Sequence, residues 1–128
     1  MKPELTLLAW SVILAIVHML IAVQALVSTK GLMTAVGNRE NLPELPGWAG
    51  RAVRANRNMA ENLVLFAAMV LAVVVAGRTN NMTLAGAQIF FWARIAYAVC
   101  YLGGIKWART LSWVVSVIGI VLILWQLF

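Results

Sequence analysis

Apolar residues run in long blocks along this chain, separated by short polar stretches. Leu5 to Val27 is 23 residues without a charge, long enough for a helix to cross the roughly 30 Å hydrocarbon layer of a bilayer. A polar connection follows from Ser28 to Gly50, broken by Gly31, Gly37, Pro43, Pro46, Gly47 and Gly50. Its length suits a lid over a site, since connections beyond about 12–15 residues tend to be functional or mobile. The next block begins polar (RAVRANRNMAEN) and ends in 14 apolar residues (LVLFAAMVLAVVVA). Fourteen residues fall short of a span, so the apolar part has to recruit the polar turns before it. That draws Arg54, Asn58 and Glu61 to membrane depth. Gly77 to Asn81 stops this helix and turns the chain. A third block runs from Met82 to Gly103 with Arg94 near its middle, Gly104 and Lys106 turn the chain again, and Trp107 to Phe128 forms a fourth. The pattern predicts one all-α domain over residues 1–128, a four-transmembrane-helix up-down bundle. Its spans fall at about 5–27, 52–76, 82–103 and 107–127. A cleaved signal peptide fits the first block less well, because such apolar cores run only about 7–15 residues.

Composition agrees. Of the 128 residues 63% are apolar and 11% charged, under half the roughly 25% charge of a soluble domain. A water-soluble fold and a disordered chain are both excluded. The formal charge is +6 and the pI about 10.5. In a chain built of spans these basic residues determine topology and anchor the membrane surface, so no nucleic-acid partner is expected. The first and third connections carry Lys30, Arg39, Arg51, Arg54, Arg57, Lys106 and Arg109, and the opposite side only Lys2 and Arg78. Both termini are therefore placed outside. Short loops and a minimal chain point to a bacterial inner membrane, with the termini periplasmic. Trp10, Trp48, Trp107 and Trp125 fall near helix ends, as interfacial anchors do. Cys100 is the one cysteine and His18 the one histidine, so neither an internal disulfide nor a zinc site can form, and no metal is expected. His18 reads as a helix-packing hydrogen-bonder, and the Asn81-Met82-Thr83 sequon as chance.

The chemistry concentrates on two helices. At 100° per residue Arg51, Arg54, Asn58, Glu61 and Asn62 fall within an arc of about 100°, with Arg57 beside them one turn before Glu61. Such a set, turned inward, can hold a zwitterion: arginine pairs with carboxylates, glutamate with an ammonium. Arg94, Tyr97 and Tyr101 at i, i+3 and i+7 make a second stripe, and Arg109 reaches the depth of Tyr101 across the short third connection. The same residues also admit a structural reading. Arg57 and Glu61 would then be an i, i+4 pair, Arg94 a counter-charge for Glu61, and the tyrosines interface anchors.

The run Arg51-Ala-Val-Arg54-Ala-Asn-Arg57-Asn58-Met-Ala-Glu61-Asn62, leading into a span, resembles the signature of the MAPEG family, the membrane-associated proteins in eicosanoid and glutathione metabolism. Arg94-Ile-Ala-Tyr97-Ala-Val-Cys-Tyr101-Leu-Gly, followed by Arg109-Thr-Leu-Ser112, is similar to the third-to-fourth helix region of the microsomal glutathione transferases. The resemblance covers the whole chain. It implies a left-handed bundle assembled as a homotrimer, with glutathione bound between neighbouring subunits near the cytoplasmic side. Arg54, Asn58 and Glu61 would hold glutathione, with Glu61 on the amino group and Arg54 on a carboxylate. Tyr97 and Tyr101 would add hydrogen bonds, and Arg57 matches a further contact in the subgroup resembling prostaglandin E synthase. Arg109 resembles the arginine that stabilises the thiolate, at an offset from Tyr101 that differs by a residue or so among relatives, with Ser112 as the alternative. Arg51 and Arg94 would support the set. Asn62 stands where some relatives carry tyrosine.

The activity implied is a glutathione transferase that conjugates the thiolate to lipophilic electrophiles dissolved in the bilayer, with peroxide reduction as a second outlet. Glutathione is then a co-substrate, and no metal is implied. Two other classes compete. A non-catalytic lipid-binding scaffold resembling the lipoxygenase-activating protein would lack the thiolate-activating group, whereas Arg109 is present here. Small four-span exporters resemble a pattern with a glutamate in the first span, and this first span has none.

Overall fold

A computed structural model describes residues 2–31 and 47–128. The connection read as a lid, with Arg39, lies outside the described residues. Four helices account for nearly all of the described chain: α1 (Pro3–Lys30), α2 (Gly47–Val75), α3 (Asn81–Leu102) and α4 (Lys106–Gln126). Each contains a stretch long and apolar enough to cross a membrane, and among the described residues there is no strand. The expected four-helix membrane architecture is what the chain adopts.

The ends of these helices follow from local sequence. Pro3 opens α1, where its missing N–H costs nothing. Gly77 adopts a left-handed φ of 69° after α2. Its N–H donates to the Val74 carbonyl at 3.2 Å, and the Arg78 N–H to Val73 at 2.9 Å, the paired bonds that close a helix on a glycine. Asn80 then caps α3. Its side chain accepts from the Thr83 N–H at 3.0 Å, while the Thr83 hydroxyl oxygen accepts from the Asn80 N–H at 2.8 Å. Thr83, the last residue of the sequon, is fully buried in this cap.

Tight approach rather than bulk holds α3 to α4. A Cβ added at Gly86 would stand 2.6 Å from the Gly119 carbonyl oxygen, and one added at Gly119 would stand 2.6 Å from that of Gly86 and 2.9 Å from Phe90 N. No side chain fits there, so the two backbones cross in contact, as small residues allow in membrane bundles. Beside the crossing, Phe66 of α2 stacks on Phe90 of α3 at 4.0 Å and 12°, within a core of Val70, Val73, Ala87, Ile120 and Ile123. The α1–α2 seam is built of Ala25, Leu26, Ala49 and Ala52. Buried hydroxyls are satisfied within their own helices: Ser11 donates to Leu7 at 2.8 Å and Ser116 to Trp113 at 2.7 Å. Trp48, Trp107 and Trp125 are exposed near helix ends, where amphipathic rings meet headgroups.

Gly119→Val is expected to destabilise the bundle by about 1–3 kcal/mol through overpacking, seen as a lower thermal midpoint in detergent. An unchanged midpoint would contradict the backbone crossing.

Candidate functional site

The rotation of α2 decides which of its polar residues can meet the rest of the bundle. Ala49, Ala52, Ala55, Met59, Asn62, Phe66, Val70 and Val73 are its buried side chains, spaced three or four apart, and they define the seam against the other helices. At 100° per residue the Arg54, Asn58 and Glu61 stripe is centred roughly 110° round from that seam. The consequence is a graded exposure. Asn62 is buried, Arg51, Arg54 and Asn58 are half-buried, and Arg57 and Glu61 are exposed. The stripe thus faces sideways out of the single protomer rather than into its interior. Glu61 does not reach Arg94, which has no exposure at all, and among the described residues Arg57 and Glu61 form no i, i+4 ion pair.

The third-helix stripe is buried as a unit. Tyr97 is 5% exposed and Tyr101 8%, which removes them from the class of surface anchors. Ala55 of α2 packs against both, its small side chain leaving room for two phenol rings. The rings lie 5.3 Å apart at 38°. Arg94 sits over Tyr97 with its guanidinium carbon 4.2 Å from the ring centroid, and Arg109 of α4 sits over Tyr101 at 4.8 Å. Arg54 of α2 reaches the same residue from another side, its Nε donating to the Tyr101 hydroxyl at 3.0 Å. Tyr101 therefore joins three helices. Its ring carries one guanidinium and its hydroxyl another.

Around this column the remaining residues divide. Asn58 accepts from Asn62 Nδ2 through its carbonyl at 2.8 Å and through its Oδ1 at 3.2 Å, which fixes both amides on one turn. The Arg51 guanidinium abuts Gly104 in the α3–α4 turn. That glycine takes a φ of 77° and donates to the Tyr101 carbonyl at 3.0 Å, so the turn that delivers Arg109 is anchored to Tyr101 and covered by Arg51. Ser112 spends its hydroxyl on the Ala108 carbonyl at 2.9 Å, leaving Arg109 as the stronger donor toward a ligand. Ala55 was not singled out by sequence reasoning, and Gly104 was read only as a turn residue. A small residue three before Asn58, and a glycine pair ahead of a basic turn, are the signals that mark them.

Chemically the arrangement is a cationic edge: Arg54 and Arg109 meet the buried Tyr101, Arg51 lies against the adjoining turn, and Arg57 and Glu61 are exposed on the same helix as Arg54. Among the described residues no group of histidine, cysteine and carboxylate side chains could hold a metal ion. Guanidinium groups beside a carboxylate can pair with an anion that also bears an ammonium group.

Comparison with protein families is decisive at this point: the model of the MAPEG family matches residues 7–128. The chain belongs to the MAPEG family. No characterised protein and no solved structure matches it significantly. MAPEG proteins are four-helix membrane bundles, so the chain is an integral, multi-pass membrane protein. Members use glutathione as a substrate, and the family contains glutathione transferases and peroxidases beside non-enzymatic proteins. Within this MAPEG chain, both motifs that carry the resemblance converge on Tyr101.

A double-mutant cycle between Arg54→Leu and Tyr101→Phe, read by thermal unfolding in detergent, is expected to give a coupling energy of about 1–2 kcal/mol. Additive single effects would contradict the Arg54–Tyr101 bond.

Proposed function

We propose that the protein is a membrane-bound glutathione transferase that activates the glutathione thiolate for attack on lipophilic electrophiles, with reduction of lipid-soluble peroxides as a related activity. The observation that carries the reading is the convergence of Arg54, Tyr101 and Arg109, residues of three helices, on a half-buried cationic edge. Glutathione carries two carboxylates, one ammonium and one thiol. Arg54 and Arg57 pair with carboxylates, Glu61 with the ammonium, and Asn58 with the peptide groups, while Tyr97 and Tyr101 line the wall behind them. Arg51 and Arg94 support this set.

Arg109 is the thiolate-stabilising group. Its guanidinium is half-buried, braced by the Tyr101 ring, and among the described residues it has no carboxylate partner. A free thiol has a pKa of about 8.5, so only a few per cent is ionised at pH 7. A guanidinium at contact distance in a partly dehydrated cleft lowers that by about one to three units. The proton leaves to solvent and the thiolate forms the new carbon–sulfur bond; a substitution expels the leaving group with its electron pair, an addition takes a proton back from solvent, and neither needs a covalent enzyme intermediate. Ser112 is the weaker alternative, since its hydroxyl is committed to its own helix.

The outward position of Glu61 and Arg57 supports a homotrimer in which a neighbouring copy closes the cleft. A carboxylate left against lipid is costly, and a second subunit together with the ligand ammonium removes that cost. The second substrate enters from the bilayer through the same opening.

Arg109→Ala is expected to lower turnover at pH 7 by roughly 10- to 30-fold, in line with the lost thiolate fraction. Glutathione affinity should stay within a few-fold by calorimetry, and thiolate ultraviolet absorbance in the complex should disappear. Unchanged turnover in a folded variant would remove Arg109 from its role, and absence of glutathione binding by the native protein would favour a non-catalytic scaffold.

A further inference from the structure

Two buried polar side chains at the heart of the bundle have unmet hydrogen bonds. Arg94 has no solvent exposure, and none of its three guanidinium nitrogens has a partner among the described residues. His18 of α1 is 4% exposed, and its Nε2 is likewise unpartnered. Its Nδ1 lies 3.0 Å from the Leu14 carbonyl oxygen. A carbonyl only accepts, so Nδ1 carries the proton and Nε2 of the neutral ring presents a lone pair. One group lacks an acceptor and the other lacks a donor. Their needs are complementary.

The two groups also share a level. Helices α1 and α3 run parallel, and Lys2 Nζ donates to Thr79 Oγ1 at 3.3 Å at one end of the pair. Counting equal numbers of residues along the two helices from that end brings His18 to within about one turn of Arg94. Beside His18 lies a cavity of about 40 Å³, bounded by Leu14, Val17 and Ile21 of α1, Ala52 and Ala55 of α2, and Ala98 one turn after Arg94 on α3. It has room for one water. The Tyr97 ring covers one face of the Arg94 guanidinium, and a cation–π contact satisfies none of its N–H donors. A desolvated arginine inside a membrane bundle without a hydrogen-bond acceptor is too costly to stand alone.

We propose that His18 is a positioning residue for the site: its Nε2 accepts a hydrogen bond from Arg94 relayed by one buried water, and so holds the guanidinium against Tyr97. The pair ties α1 to the column that continues through Tyr97 to Tyr101. The pairing itself stands on the geometry of the bundle. Only its effect on glutathione rests on the transferase reading.

His18 is the sole histidine, so protein labelled with [¹⁵N]histidine and held in lipid nanodiscs gives one unambiguous pair of ring resonances. The native protein is expected to show a protonated Nδ1 and an unprotonated Nε2 at the hydrogen-bonded position, with Arg94→Met moving Nε2 to the free-acceptor position. A free Nε2 in the native protein, a doubly protonated ring, or a spectrum insensitive to Arg94→Met would each overturn the pairing, and the native spectrum alone decides if the variant does not fold. In a second arm, His18→Phe should lower the thermal midpoint and weaken glutathione binding several-fold, while His18→Gln, which keeps an acceptor, restores both. His18→Phe matching the native protein in both would overturn the positioning role. Should the native protein bind no glutathione, the transferase reading fails while the resonance test still decides the pairing.

Discussion

Tyr101 is where α2, α3 and α4 are held together by charge rather than by apolar packing. Its hydroxyl receives Arg54 from α2 at 3.0 Å and its ring carries Arg109 from α4 at 4.8 Å, so one side chain fixes two guanidinium groups that the bilayer would otherwise expel. Hydrogen bonds to charged groups contribute about 1.5–3 kcal/mol, and desolvated cation–π contacts about 2. Neither interaction survives without the other features of the bundle. Ala55 gives the rings room, the Gly86–Gly119 crossing brings α4 against α3, and the Gly104 turn delivers Arg109 one turn into α4.

The same contact explains how a chain with so little charge concentrates it. A cation at membrane depth needs a polarisable face, a hydrogen-bond acceptor or an anion. Tyr97 and Tyr101 provide two faces and one acceptor, His18 provides another acceptor, and on the transferase reading the ligand supplies an anion. Arg109, which has no carboxylate partner among the described residues, is the group that this leaves available. A bundle in which every arginine met a carboxylate of its own chain would have no affinity left for a carboxylate or a thiolate.

Much of the architecture was legible in the sequence because the bilayer imposes a coarse rule. Uncharged runs such as Leu5–Val27 have no alternative to spanning. The Arg54, Asn58, Glu61 spacing and the Arg94, Tyr97, Tyr101 spacing were readable too, since both are helical periods written in residues that are rare inside membranes. The rotation of α2 was not. Its 14 apolar residues are apolar all round, so they carry no phase, and only the Ala52–Ala55–Met59 seam shows that Glu61 turns outward. The Gly86–Gly119 crossing was invisible for a related reason: a glycine within an apolar run says nothing about which distant glycine it meets. His18 and Arg94 were each visible as isolated polar residues, but their facing positions follow from the register of α1 against α3, which depends on both connections between them.

The central claim is that this cationic edge binds glutathione as its thiolate. Calorimetric titration of glutathione into the purified protein in detergent at pH 7, repeated in buffers of different ionisation enthalpy, measures binding and proton release together. The expected result is saturable binding with release of about a quarter to one proton per glutathione bound, because most of the free thiol is protonated at that pH and the bound pKa is about one to three units lower. Binding without proton release, or no binding at all, would contradict it.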